Sequence, residues 1–323
     1  MKSTPDPQKF LEKYFSDYHF TAIEEINRGW SSDKKYLAES IRKEKYLLRI
    51  TTSAKKLPYK IQEFAALKTL EKFELPIPKP VDLKVNEDGE TVLMLLGWVP
   101  GRELEEAIHE LSPEDQYRLG VRAGEILAQL HTIPAPLDIP RWDEWFSKKI
   151  DKRLAEYAAC GIRLPNDEKI LEYIRSNRHL IQNRPQCFQH GDYHIGNMVL
   201  DEQKNLGIID FDRMDYGDPW EEFNRITWCA NASKYFASGR IAGYFEGSVP
   251  ENFWKLFLLY ISVNMIGSVP WAIPFGDNEV ATMMKTAQDV LLWFDNMNNP
   301  IPNWYCSEIP DFFIDNFSDG QKN

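Results

Sequence analysis

Cysteine is scarce in this chain. There are four in 323 residues, Cys160, Cys187, Cys229 and Cys306, and they form no CxxC pair and no Cys/His ligand spacing. That scatter excludes a zinc finger or a disulfide framework, so the four read as reduced, mostly buried thiols. Uninterrupted apolar runs are also lacking. The most apolar stretch, FWKLFLLYISVNMIGSVPWAIPF, is broken by Asn264, Gly267, Pro270 and Pro274, and the opening MKSTPDPQKFLEKYF has no apolar segment of the signal-peptide kind. The expectation is a cytoplasmic protein without a membrane partner. Positive charge is the third deficit: 38 Lys and Arg stand against 49 Asp and Glu, a net charge of -11. A nucleic-acid partner would need a basic face and is excluded on that ground. The surplus of carboxylates suits solubility first and a cationic ligand second.

What is present is an ordinary globular composition, 43% hydrophobic and 27% charged, enough to bury one large core or two modest ones. No internal repeat or low-complexity segment divides the chain, so pattern changes must. Residues 6–17 predict a short helix, and TAIEEINRGWSS, KKYLAESI and KYLLRITT predict three successive strands. Ile61, Phe64, Leu67, Leu70 and Phe73 recur at helical steps over residues 58–73, until LPIPKP ends the helix. VDLKV and TVLMLLGWV predict two more strands around a turn at Glu87-Asp88-Gly89. From Ser112, a helix cap followed by Pro113, the chain turns helical. Further helices are expected near 142–158, 167–182, 219–246, 251–268 and 278–296, with short strands at NMVL and LGIID. The aromatics of the last third, such as Trp254, Phe257 and Tyr260, are spaced as helix core.

The stretch with chemistry in it is HGDYHIGNMVLDEQKNLGIIDFD, residues 190–212. A hairpin here brings Asp192, Asn197 and Asp210 together. Carboxylate and amide oxygens suit a hard cation, magnesium above all, which keeps several waters and completes its shell with phosphate oxygens. A further carboxylate can then orient a hydroxyl for attack. HGDYHIGN followed by IIDFD resembles the motif of the aminoglycoside phosphotransferase and choline kinase superfamily, whose fold is similar to that of protein kinases.

The resemblance implies an α+β, protein-kinase-like fold of two lobes, a small β-rich N-terminal one and a large, mainly helical C-terminal one. Residues 1–96 would be the nucleotide-binding lobe and 97–323 the catalytic and acceptor-binding lobe. Asp192 matches the catalytic base, Asn197 and Asp210 the magnesium ligands, and His190 the histidine that shapes the loop. His194 reads as a loop hydrogen-bonding residue. KYLLRI resembles the strand that carries the phosphate-binding cation, which makes that cation Arg49, with Glu63 as its acidic partner. A guanidinium there can bind phosphate in a fork, where lysine acts as a point charge. NRGWSSDKKYL matches the turn over the nucleotide, with Gly29 and Ser31 approaching the phosphates. VLMLLGWVPG resembles the segment joining the lobes and offers the Gly97 carbonyl and the Val99 amide to the base. YGDPWEEFNRI resembles the element that braces the catalytic loop, with Glu222 in place of the usual aspartate.

The implied activity is transfer of the γ-phosphate of ATP or GTP to a small-molecule hydroxyl, magnesium-dependent. An aminoglycoside-type antibiotic fits as acceptor, since a polyamine calls for carboxylates such as Glu221, Asp277, Glu279 or those between Asp311 and Asp319. Choline, homoserine or a sugar derivative is the metabolic alternative, and a nucleotide-binding regulatory pseudokinase the alternative of another class. A zinc or manganese hydrolase would require paired histidine ligands that the chain does not show.

Overall fold

The computed structural model describes residues 6–27 and 33–306. The elements run α1 (Pro7–Tyr14), β1 (Phe20–Ile26), β2 (Lys34–Ser40), β3 (Lys45–Thr52), α2 (Leu57–Leu70), β4 (Pro80–Val85) and β5 (Thr91–Gly97). After them come β6 (Arg102–Glu103), α3 (Leu104–Ala107), α4 (Pro113–Leu130), α5 (Trp142–Ala159), α6 (Asp167–Asn177), β7 (Cys187–Gln189), β8 (Met198–Leu200), β9 (Leu206–Ile208) and β10 (Asp215–Gly217). The chain closes with α7 (Ile226–Ala232), α8 (Lys234–Tyr244), α9 (Glu251–Ala272) and α10 (Asp277–Trp293). Two compact units result: Met1–Gly101 with Val199–Asp212, and Arg102–Met198 with Arg213–Asn323.

The first unit is built on an antiparallel sheet in the order β1-β2-β3-β5-β4. Strand alternation gives it two different faces. Tyr36, Ala38, Leu48, Ile50, Leu93 and Leu95 point to one face and pack on Leu11 and Phe15 at the end of α1. On the other face Lys35, Arg49 and Met94 stand in register across β2, β3 and β5. The expected turn at Glu87-Asp88-Gly89 forms, with Gly89 at φ +65° and the Asp88 carboxylate accepting from the Glu90 and Thr91 amides. The segment after β8 joins this unit through a hydrogen bond from the Ile208 amide to the Pro76 carbonyl, 2.8 Å. Val99 lies so close to Gly207 that a Cβ there would meet its Cγ1 at 2.4 Å.

The second unit is helical. Its α4 and α8 touch backbone to backbone: a Cβ on Gly124 would lie 2.2 Å from the Arg240 carbonyl oxygen, and one on Gly239 2.2 Å from that of Tyr117. Ser112 caps α4 as expected, accepting from the Asp115 amide at 3.1 Å. Trp254, Phe257 and Tyr260 are buried on α9. That helix is long and apolar enough by composition to cross a membrane, yet 72% of its most apolar window is buried in the protein, the behaviour of a core helix.

Two helix boundaries differ from the sequence expectation. The helix expected near 251–268 continues through Pro270 to Ala272. A proline in the last turn removes one hydrogen bond, and burial of Ile266, Val269 and Ala272 on either side of it offsets that loss. The single helix expected over 219–246 is three pieces instead. Glu221–Arg225 is a 3-10 turn, followed by α7 and α8. The break falls at Ser233, which is extended (φ -158°) and whose Oγ accepts from the Phe236 amide at 3.0 Å. A serine hydroxyl offers the backbone an alternative to continued helix, and here it starts a new one.

Candidate active site

The loop after β7 is held from several sides within the second unit. Gly191 takes φ +82°, and a Cβ there would come within 1.7 Å of the Arg213 carbonyl oxygen, so only glycine fits. Its amide donates to the Glu222 carboxylate at 3.0 Å. The longer side chain of Glu222 therefore reaches the loop directly. Glu222 is fully buried, and although burial raises its pKa, His131, His190 and the Gly191 amide hold it below the ordinary carboxylate value. Fully buried Arg240 donates to the Tyr193 and Glu222 carbonyls at 2.8 and 3.1 Å, and the Tyr193 hydroxyl donates to the Ala123 carbonyl.

Inside the loop, His190 Nδ1 accepts from the Asp192 amide at 3.2 Å and His194 Nδ1 accepts from the Gly196 amide at 3.1 Å. Both histidines thus bond the loop backbone. Asn197 donates its Nδ2–H to the Asp192 carbonyl at 2.9 Å, so the amide nitrogen is committed to the loop and the side-chain oxygen is its acceptor group. Asp192 itself is mostly buried. Arg225 stands 3.4 Å from its carboxylate, and Arg213 and His194 stand at 3.6 Å. These are ion-pair distances, longer than hydrogen bonds, and Oδ1 is buried with no hydrogen-bond partner. Burial raises the Asp192 pKa, but His194, Arg225 and Arg213 outweigh it and keep the carboxyl well below its usual range.

The first unit assembles a second charged group on the inner face of its sheet. Arg49, 3% exposed, contacts three carboxylates: Glu63 at 2.5 Å, Asp212 at 2.6 Å and Asp33 at 2.9 Å. Lys60, one turn before Glu63 on α2, contacts the same three, with Asp33 at 2.8 Å and Glu63 at 3.1 Å. Burial opposes the charge on both cations, yet the surrounding carboxylates raise both pKa values and hold Arg49 and Lys60 protonated. Asp210 sits at φ +66°, a left-handed conformation that aspartate tolerates better than most residues. Its Oδ2 takes a hydrogen bond from Lys35 Nζ at 2.9 Å, and its Oδ1 is buried without a partner. Burial raises its pKa, and Lys35 and Arg49 bring it below the ordinary value.

Of the residues singled out from sequence, Arg49, Glu63 and Asp210 therefore lie in the first unit, and Asp192 and Asn197 in the second. Gly97 ends β5, its amide bonded to the Lys79 carbonyl at 2.7 Å; the Val99 amide makes no backbone hydrogen bond among the described residues. Gly29, Ser31 and the acidic residues from Asp311 to Asp319 lie outside the described residues. Glu221 is committed to Lys149 at 2.8 Å. Sequence reasoning missed Asp33, Lys35, Lys60 and Asp212. Lys60 at three residues before Glu63, and Asp212 two after Asp210, were the available signals. Among the described residues no three or more His, Cys, Asp or Glu cluster as a self-sufficient metal site. The Asp210 oxygen without a partner among the described residues, in the first unit, and the Asn197 side-chain oxygen, in the second, are each donors of the kind a hard cation takes.

The model of the phosphotransferase enzyme family, APH, matches residues 22–253. No curated protein sequence matches the chain. Solved structures do. The gentamicin complex of APH(2")-IIa is similar at a TM-score of 0.64 and 16% identity, over 89% of this chain and 97% of that one. The GDP complex of aminoglycoside 2'-phosphotransferase-IIIa gives 0.65 and 15%, over 88% and 97%. The amicoumacin kinase hAmiN, in complex with AMP-PNP, Ca2+ and its antibiotic, gives 0.63 and 16%, over 94% and 96%. These likenesses establish the fold as the α+β, protein-kinase-like one.

Proposed function

The chain belongs to the phosphotransferase enzyme family, and from that premise we propose that it transfers the γ-phosphate of ATP or GTP to a hydroxyl of a small molecule. Residues 1–96 act as the nucleotide-binding lobe and 97–323 as the catalytic and acceptor-binding lobe. The observation that carries the reading is the loop from His190 to Asn197, which presents Asp192 ionised, with one oxygen taking no hydrogen bond. A carboxylate in that state can accept a hydroxyl proton or orient the hydroxyl for in-line attack.

Asn197 and Asp210 take the role of magnesium ligands, and Arg49, Glu63, Gly97 and Val99, with Gly29 and Ser31, that of holding the nucleotide. Bound magnesium supplies charge neutralisation on the phosphate oxygens. Glu63 and Asp212 fix the Arg49 guanidinium, so that its remaining N–H groups are aimed before the nucleotide arrives. Glu222 fixes the loop that carries Asp192.

For the acceptor, an aminoglycoside-type antibiotic is the first reading, supported by the gentamicin complex of a similar structure. A metabolite such as homoserine, choline or a sugar derivative is the second. Its uncharged or zwitterionic members, a sugar derivative or homoserine, are favoured by Arg213 and Arg225 beside Asp192, which would meet a polycation or choline with like charge. The test is magnesium-dependent nucleotide consumption against aminoglycosides, macrolides, choline, homoserine and sugars, each compared with nucleotide alone. Stimulation by one compound names the acceptor class. Asp192→Ala should bind nucleotide almost normally and transfer nothing; near-normal transfer by that variant would sink the assignment.

A further inference from the structure

The first unit gathers three buried or half-buried cations, Arg49 and Lys35 on one face of its sheet and Lys60 on α2, and they are not equally committed. Arg49 and Lys60 are 3% and 2% exposed, and each contacts Asp33, Glu63 and Asp212. Three carboxylates thus already answer the charge of these two cations and fix where they stand. Lys35 differs. It stands in register with Arg49 on the neighbouring strand, so both point to the same face. Its side chain is 13% exposed and has, among the described residues, one carboxylate partner, Asp210 at 2.9 Å. An ammonium has three donors, so two remain to be filled.

Asp210 is half-satisfied in turn. One oxygen takes the Lys35 hydrogen bond and the other is buried without a partner. A structural ion pair at this degree of burial normally satisfies the remaining lone pairs, because a charge out of water is costly without them. The pair Lys35–Asp210 thus looks like half of a larger arrangement, one more anion for the lysine and one cation for the aspartate.

Resting on the phosphotransferase reading above, we propose that Lys35 is a nucleotide-binding residue that changes partners: it neutralises Asp210 in the empty enzyme and moves to the nucleotide's phosphate oxygens when nucleotide and metal bind. Asp210 is thereby kept from standing as an uncompensated buried charge beside Asp212, and is freed when a divalent cation replaces the ammonium. A flexible four-carbon stem suits Lys35 to this exchange, where the planar fork of Arg49 suits it to a fixed network.

The test uses the full chain and two binding measurements. Mn2+ affinity without nucleotide is read from water-proton relaxation, and ADP affinity without metal from calorimetry, in wild type, Lys35→Met and Lys35→Arg. Lys35→Met should bind Mn2+ about fivefold or more tighter, since the competing ammonium is gone, and metal-free ADP about tenfold weaker. Lys35→Arg should restore the ADP affinity. Tighter Mn2+ with unchanged ADP affinity would make Lys35 a neutraliser of Asp210 alone and overturn the proposal, as would no change in either. Wild type that binds no ADP, with or without metal, would instead remove the phosphotransferase reading on which the proposal rests. Circular dichroism melts of each variant show that the comparison is between folded proteins.

Discussion

The two charged regions of this protein solve opposite problems. In the first unit Arg49 and Lys60 each meet Asp33, Glu63 and Asp212 at hydrogen-bonding distance. Around Asp192 the cations stop at 3.4 to 3.6 Å and the carboxylate keeps an oxygen without a hydrogen bond. The first region spends its electrostatic energy on itself and is rigid in consequence. In the second, His194, Arg225 and Arg213 keep Asp192 ionised from ion-pair distance and leave one of its oxygens without a hydrogen bond among the described residues. Position and reactivity are thus assigned to different side chains, which is what phosphoryl transfer, with its demand for orientation above all, makes useful.

The strongest way to break the comparison is to neutralise one charge in each region. Asp192→Asn keeps shape and removes the proton acceptor, so transfer should fall about a hundred- to ten-thousandfold. The melting temperature should fall, but by less than in Lys60→Met, because the cations around Asp192 stop at 3.4 to 3.6 Å. Lys60→Met should act chiefly on stability, leaving Asp33, Glu63 and Asp212 under-compensated at a cost of about 3–5 kcal/mol. Denaturant melts of the two variants decide the matter, and equal destabilisation would erase the distinction between the regions.

Acid sharpens it further. Burial raises the pKa of Asp212, but Arg49 and Lys60 more than reverse this and bring the folded value below the unfolded one. A carboxylate depressed on folding contributes stability that is complete above its unfolded pKa and is lost as pH falls below about 4. The wild-type melting temperature should therefore drop progressively as pH falls below about 4, and Asp212→Asn should be less stable at neutral pH and show a shallower drop. An acid slope as steep as wild type in that variant would place its origin outside this cluster.

Much of this was legible before any coordinates. The resemblance of KYLLRI pointed to Arg49 and its match on the following helix to Glu63, helical spacing marked that helix over residues 58–73, and the run from His190 to Asp210 carried its own spacing. What stayed hidden depends on distance through space. Nothing in the local sequence says that Lys60 and Asp33 share partners with Arg49, because ion-pair networks are closed by tertiary placement. Lys35 follows Lys34 in sequence, and only the register of β2 shows that the first of the pair reaches solvent-side Glu25 and the second Asp210. Ser233 was readable as a serine, but the apolar period on both sides argued for unbroken helix, and its capping role emerged only with its extended backbone.

The smallest expected effect concerns the brace between structure and reactivity. Glu222 accepts from the Gly191 amide with both oxygens, 3.0 and 3.2 Å, one residue before Asp192. Glu222→Gln keeps one acceptor oxygen and replaces the other with a donor facing an N–H, so one of the two contacts is lost along with its charge. Stability should fall by about 1–2 kcal/mol, the worth of a charge-assisted bond replaced by a neutral one. Transfer should fall by more than stability does, because a loop displaced by a fraction of an ångström misaims Asp192 even in a folded protein. Turnover that declines while nucleotide affinity holds supports the brace; a decline in nucleotide affinity alone would assign Glu222 to the fold and not to the loop.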